Sequence, residues 1–252
     1  MKALITGASS GIGRDMARYL ASMGWDLILV ARRENRLVEL KEELKSVNVE
    51  MIVLDVGKAE DCCRLYEMTK DEQIDMLINN AGFGLAGEFA AADLDTELNM
   101  IDVNVRAVHI LTKLYLRDFV KRDSGIILNT ASSAGFMAGP LLSTYYATKN
   151  YVLRLTEAIY EELRHKGSHV KISALCPGPV DTEFNDVAKV KFAMKGISSE
   201  LCARTAIDGA LKGKPVIIPG GMLKVGLFFR RFLPEKTMLK IAYGIQKRKN
   251  ER

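Results

Sequence analysis

A tyrosine and a lysine stand four residues apart in Tyr145-Tyr146-Ala147-Thr148-Lys149, and Ser132 precedes the tyrosine by thirteen residues. On a helix, positions i and i+4 lie on one face, a turn apart. A phenol exchanges protons poorly near neutral pH because its free pKa is about 10. A neighbouring ammonium favours the phenolate and draws that value toward the working range. Ser132 is separated from the pair by a loop holding Gly135, Gly139 and Pro140. Its hydroxyl can fold back toward the same substrate oxygen. The three groups together suit proton transfer to or from an oxygen. Tyr-x-x-x-Lys alone equally describes a half-buried tyrosine beside a solvated lysine, so the rest of the chain decides. Tyr146 has Asn150 at i+4 and points about 100° away around the helix, which makes it packing or pocket wall.

The elements that must position these groups alternate. Short apolar runs at Lys2–Thr6, Trp25–Ala31, Val49–Leu54, Met76–Ile78, Gly125–Thr130, Val170–Leu175 and Pro215–Ile218 read as strands. Between them, amphipathic periodicity predicts helices over Ile12–Met23, Asn35–Lys45, Ala59–Lys70, Thr96–Lys121, Thr144–Lys166 and Ser199–Lys212. Continuous apolar strands alternating with helices predict an α/β fold, a parallel sheet covered on both faces. Such sheets bind ligands beyond the carboxyl ends of their strands, and every motif falls at one of those ends.

The first strand runs into Thr6-Gly7-Ala8-Ser9-Ser10-Gly11-Ile12-Gly13. Glycines here let a turn tighten and let a pyrophosphate approach backbone N–H groups at a helix start; a purely structural tight turn has the same composition. The second strand ends in Ala31-Arg32-Arg33, where many NAD-binding folds carry an acid for the ribose 2′-hydroxyl. Guanidinium groups suit a 2′-phosphate instead, which favours NADP(H). The bland alternative is that Arg32 and Arg33 open a solvated helix. The third strand ends in Asp55-Val56, where the acid suits either an adenine amino group or a turn. Asn79-Asn80-Ala81-Gly82 ends the fourth and suits a close cofactor approach or a simple turn. Cys176-Pro177-Gly178-Pro179-Val180-Asp181-Thr182 follows the sixth, a rigid turn whose backbone groups could meet a nicotinamide amide.

Thr6-Gly-x-x-x-Gly-Ile-Gly13, Asn79-Asn-Ala-Gly82, a serine thirteen before Tyr-x-x-x-Lys, and Pro177-Gly178 together resemble the short-chain dehydrogenase/reductase family. Order and spacing agree from residue 2 to about residue 218. The resemblance implies a doubly wound Rossmann-type domain with about seven parallel strands. It implies Tyr145 as acid/base, and Lys149 as the group that tunes it and binds the nicotinamide ribose. It also implies Ser132, rather than its neighbour Ser133, as the residue orienting the carbonyl. Asn104 matches the family's helix asparagine that anchors a relay water, and Thr182 its carboxamide contact. The segment from Glu183 to Ile197 falls where the family keeps its substrate loop; its apolar residues fit a lid or merely pack on their own domain. Phe136, Met137, Leu141 and Phe184 are the expected substrate-facing residues. The family also implies a homodimer or homotetramer.

Composition narrows the class. The 252 residues are 48% apolar and 27% charged, ordinary for a soluble globule. Met1 leads almost directly into a strand, no apolar run reaches bilayer length, and a cytoplasmic location is expected. Cys62, Cys63, Cys176 and Cys202 form neither C-x-x-C nor metal-ligand spacings, and His109, His165 and His169 are scattered, so free thiols and no metal site are expected. The net charge of +5 is concentrated: Met222 to Arg252 holds nine Lys/Arg and two Glu, a net +7, which argues against a protein-wide nucleic-acid footprint.

That stretch, 222–252, reads as a C-terminal extension of the domain spanning 1–221. Met238, Ile241, Ala242 and Ile245 sit at helical spacing among lysines and arginines. Such a helix packs on the enzyme or a sister subunit, or lies on an anionic membrane surface. If it covers the active-site mouth, deleting 222–252 raises KM for long-chain ketones and spares small ones; equal effects on both exclude that role. The function expected is NADP(H)-dependent interconversion of a ketone or aldehyde with an alcohol, on an apolar or acyl substrate. A membrane-surface reductase of lipid ketones is the alternative. A non-catalytic NADP(H) sensor is a third, set against by an unbroken Ser/Tyr/Lys set.

Overall fold

Ala3, Leu4 and Ile5 of β1 (Lys2–Thr6) are all fully buried, although they point alternately to opposite faces. A strand with both faces covered must sit in the middle of a layered fold. In the computed structural model, which describes residues 1–184, 188 and 196–250, it does. β1 is flanked by β2 (Asp26–Ala31) and β4 (Met76–Asn79) in a seven-stranded, wholly parallel sheet of order β3-β2-β1-β4-β5-β6-β7. The remaining strands are β3 (Val49–Val53), β5 (Ile126–Thr130), β6 (Lys171–Leu175) and β7 (Val216–Ile217). The strand order reverses between β1 and β4, and the carboxyl-end crevice at such a reversal is where this architecture binds ligands.

Two apolar layers cover the sheet. Ala3, Ile5, Leu27 and Leu29 pack against α1 (Gly11–Ser22), α2 (Glu34–Glu43) and α7 (Ser199–Leu211) through residues such as Met16, Leu20, Leu37, Ala203 and Ile207. Leu4, Ile28 and Val30 on the other face meet Leu65 of α3 (Ala59–Thr69), Tyr115 and Phe119 of α5 (Val108–Lys121) and Leu163 of α6 (Ser143–His165). Period-two alternation along each strand divides the core in this way.

Buried polar residues fix α5 and α6 on the sheet. Asn79 and Asn129 are paired across β4 and β5. Asn79 Nδ2 donates to Asn129 Oδ1 at 2.9 Å and to Thr112 Oγ1 of α5 at 3.1 Å, and Asn129 Nδ2 donates to Thr156 Oγ1 of α6 at 3.0 Å. Each such bond contributes about 1 kcal/mol and costs more if half of it is removed.

The structure departs from the expected elements in two places. The single helix predicted over Thr96–Lys121 is α4 (Leu94–Ile101), a π-helical turn over Asp102–Ala107, and then α5. α4 begins two residues early because Asp93 caps it, accepting from Thr96 N at 2.9 Å. In the tail, two helices replace one: α8 (Gly221–Phe229) and α9 (Glu235–Asn250). The face of α9 turned inward carries Ala242 and Gln246, both buried, whereas Ile241 and Ile245 are 44% and 50% exposed. The inward stripe steps by four from Met238 and includes a glutamine, so hydrophobicity alone misplaced it. Among the described residues no helix is long and apolar enough to cross a membrane. Of the expected substrate loop, Val187, Lys189, Val190, Lys191, Phe192, Met194 and Lys195 lie outside the described residues.

Candidate active site

A cleft of about 600 Å³ opens along the carboxyl ends of the strands, within the range of cofactor and substrate sites. The turn after β1 forms its floor. Gly7 has φ +67°, and a Cβ on it would lie 2.8 Å from the Ala81 backbone. Gly13 lies one turn along, where a Cβ would come within 2.4 Å of both the Gly7 carbonyl oxygen and the Asn80 amide. Only glycine lets this turn rest against the end of β4. Thr6 and Asn80 fasten the two: the Thr6 hydroxyl accepts from Asn80 N at 3.0 Å and Ala81 N at 3.2 Å, and Asn80 Nδ2 donates to Thr6 O at 3.2 Å.

Ser10 stands at the N-cap of α1 without capping it through its side chain, which leaves first-turn N–H groups for an anion. Its hydroxyl instead accepts from Arg33 Nη2 at 2.7 Å, and Ser9 Oγ accepts from the same guanidinium at 3.1 Å. Arg33 Nη1 also pairs with Glu183 at 2.9 Å, and Arg36 meets the other oxygen of that carboxylate at 3.5 Å. Arg32 is largely exposed, with Nη1 3.8 Å from Asp55 Oδ2. The donor set therefore fits a dinucleotide, with an uncapped helix start and glycine-only turn for the pyrophosphate and two arginines for a further anion. Gly7, Ser9, Ser10, Gly11, Ile12, Arg32, Arg33, Asp55, Val56, Asn80, Ala81, Gly82, Pro177, Gly178, Val180 and Thr182 all line this cleft, and Gly13 sits just beneath it.

Ser132, Tyr145 and Lys149 line the same cleft. Asn150, on α6, holds the serine loop to the tyrosine helix by donating to Ala134 O at 3.0 Å and Met137 O at 2.8 Å. The Ser132 hydroxyl stands beside the Tyr145 phenol and favours its ionised form. Lys149 Nζ donates to Thr130 O at 2.9 Å and lies 5.9 Å from the centre of the Tyr145 ring.

The electrostatics differ from the sequence expectation. Burial dominates at both groups. It pushes the Tyr145 phenol up to about 12, with the Ser132 hydroxyl pulling the other way, and it depresses the Lys149 amine to about 8. Both shifts follow from the cost of holding a charge among low-dielectric walls. Lys149 therefore does not bring Tyr145 into the neutral range; the phenol keeps its proton.

Asn104 lies in the π turn, fully buried behind the cleft. It exchanges hydrogen bonds with the Phe83 backbone, 2.9 Å to its oxygen and 3.1 Å from its N–H, and Nδ2 also reaches Thr148 Oγ1 at 3.1 Å. It touches α6 one residue from Lys149. Of the four expected substrate-facing residues only Phe184 lines the cleft, its ring 5.5 Å from Tyr145. Phe136 packs instead against the cluster of Val152, Leu153 and Cys176 beneath the loop. Met137 faces the tail, beside Met238 and Leu239. Leu141 is turned away by a left-handed backbone, φ +65°, costly for a branched side chain; its neighbour Leu142 faces the cleft in its place. Phe83, Tyr146 and Gln246 complete the wall. Gln246 lies a hundred residues from Tyr146, and no motif flagged it.

The family profile described as short chain dehydrogenase matches residues 1–193. This chain is a member of the short-chain dehydrogenase/reductase family. Among its relatives is an 11-beta-hydroxysteroid dehydrogenase of Pinus massoniana, 32% identical over 92% of this chain and 70% of that protein. A short-chain dehydrogenase from Sphingobium yanoikuyae, solved in complex with NADPH, superposes with TM-score 0.81 at 32% identity, covering 86% of this chain and 87% of that one. A family member from Burkholderia phymatum, solved with NAD, gives 0.83 at 25% identity, over 91% and 92%. The chain is thus an oxidoreductase of the short-chain dehydrogenase/reductase type, acting on alcohol or ketone substrates with a nicotinamide cofactor.

Proposed function

We propose that this short-chain dehydrogenase/reductase is an NADP(H)-dependent reductase of bulky, apolar ketones. One observation carries the reaction: Ser132, Tyr145 and Lys149 line one walled cleft, where burial pushes the Tyr145 phenol up to about 12 and keeps its proton in place. A protonated phenol is the state needed to protonate an alkoxide. When bound, the nicotinamide supplies the hydride. Ser132 and Tyr145 hold the substrate oxygen, and Tyr145 releases its proton to it as negative charge develops. Lys149, charged below about pH 8, stabilises the phenolate left behind. The reverse reaction starts from the phenolate, which the buried phenol disfavours. Phe83, Leu142 and Phe184 make the substrate side largely apolar, in keeping with the hydroxysteroid-converting relative. A panel of ketones followed by nicotinamide absorbance, with NADPH and NADH in parallel, tests the reading. It fails if neither cofactor is oxidised with any bulky ketone.

The preference for NADP(H) rests on Arg32 and Arg33, which line the cleft, and on the lack of an acid at the end of β2. Glu183 pairs with Arg33 and with the neighbouring Arg36, so a 2′-phosphate must displace or tolerate a carboxylate. Glu183→Gln is expected to tighten NADPH binding several-fold and leave NADH binding unchanged, as read by fluorescence titration. Equal changes for both cofactors mean that the arginines do not meet the 2′-phosphate.

A second reading places the enzyme on a membrane surface. Phe228, Phe229 and Phe232 are mostly exposed, contact one another edge to face, and lie in the basic tail. Co-sedimentation with anionic vesicles, with and without residues 222–252, tests it.

A further inference from the structure

Gln246 is 3% exposed, lines the cleft, and comes from the last helix of the chain. Its Nε2 donates to the Tyr146 hydroxyl at 2.6 Å. Its Oε1 is buried with no hydrogen-bond partner among the described residues. An amide half satisfied inside a protein is costly, and such groups are rare. Turning the amide end for end does not remove the problem, since the phenol can donate as well as accept and the free end then carries N–H groups. One polar end remains unpaired in either case.

The surroundings of this pair are apolar. Tyr146 packs with Leu142, Tyr145, Phe184 and Ala188, and its ring lies 6.1 Å from that of Tyr145. A ligand whose oxygen meets Tyr145 and whose body rests on these residues comes against the Gln246 amide with a more distant part of itself.

We infer that the Tyr146–Gln246 pair is a second polar anchor for substrate, selecting apolar ketones and alcohols that carry a hydroxyl or amide group remote from the reacting carbon. A hydroxyl both donates and accepts, so it satisfies the free end of the amide in either orientation. The tail is then a specificity element: α9 sets a polar amide, braced by the Tyr146 hydroxyl, among the apolar residues described around it. This inference rests on the reductase reading for the position of the carbonyl.

The test uses the full-length protein saturated with NADP⁺, and calorimetric binding of matched ketones. One pair is a fused-ring ketone with a hydroxyl on the ring farthest from the carbonyl, and the same ketone with hydrogen there. A second pair is an open-chain ketone with and without a terminal hydroxyl. The wild type is expected to bind the hydroxylated member of at least one pair about tenfold to a hundredfold more tightly. Gln246→Leu, which fills the same space without the amide, should bring that ratio close to one by weakening the hydroxylated ligand alone. Tyr146→Phe removes the brace on the amide and should reduce the ratio; it carries the test if Gln246→Leu does not fold. A wild-type ratio of one, a ratio unchanged in the variants, or no binding of either pair overturns the inference. Because binding needs no turnover, discrimination without NADPH oxidation would instead count against the reductase reading, and turnover without discrimination against this one.

Discussion

Tyr145→Phe is expected to lower kcat by about 100- to 10,000-fold while leaving NADPH affinity within about twofold. The substitution removes one oxygen and keeps the ring. The ring's contacts with Phe184 and Tyr146 survive, and Ser132 keeps the hydrogen bond it accepts from Ala134 N at 3.1 Å. The fold should therefore melt at nearly the wild-type temperature. What disappears is the phenolic proton that stands beside Ser132. Water cannot readily replace it, because a replacement must reach the substrate oxygen inside the same apolar wall. A variant that still turns over at a tenth of the wild-type rate would remove Tyr145 from the mechanism. Simultaneous loss of turnover and cofactor binding would instead show a collapsed cleft.

Lys149→Met should move activity and stability in different directions. The amine titrates at about 8 in the folded protein against 10.5 for an ordinary lysine. Between those values the unfolded chain binds more protons than the folded one, so stability rises with pH across that window. Below about pH 8 the whole penalty is present, on the order of 3 kcal/mol for a group so enclosed. Methionine removes it but strands the Thr130 carbonyl, at a cost of about 1–3 kcal/mol. The expected melting temperature at pH 7 is equal to the wild-type value or a few degrees above it, without the wild-type rise between pH 8 and 10. Turnover should fall about 100- to 1,000-fold, because no positive charge remains to hold the phenolate. The wild-type reduction rate should itself decline above about pH 8, a limb absent from the variant. A variant clearly less stable at pH 7 would mean that the amine holds the helix in place more than its burial weakens it.

Much of this was legible in the residues. Continuous apolar strands can be satisfied only in a parallel sheet covered on both sides, and β1 to β7 lie within a residue or two of where apolar runs place them. Tyr145, Lys149 and Ser132 were recoverable because helical spacing and one loop bring them to a single strand end. Three things were not. The titration of Tyr145 depends on how completely the walls close around it, and a neighbouring lysine in the sequence says nothing of its own burial. The substrate-side residues turned on one backbone torsion at Leu141, which rotates Leu142 inward and leaves Phe136 and Met137 to other surfaces. Gln246 escaped notice because a polar residue on a basic helix reads as solvated. Only tertiary contact shows that this helix turns its Ala242 and Gln246 side toward Tyr146.

The π turn at Asp102–Ala107 has a consequence for how this enzyme can vary. It accommodates one residue more than a regular helix of the same rise, and Asn104 sits within it, bonded to the Phe83 backbone and to Thr148. Deleting one of those six positions would let the segment rewind as α-helix with the helices on either side still in phase. What would be lost is the widened turn itself, and with it the placement of Asn104 against the Phe83 backbone and Thr148. The segment is a seat for one side chain: it can absorb changes at its other positions, but a shorter version would unlatch the Phe83 backbone from the helix that carries Tyr145.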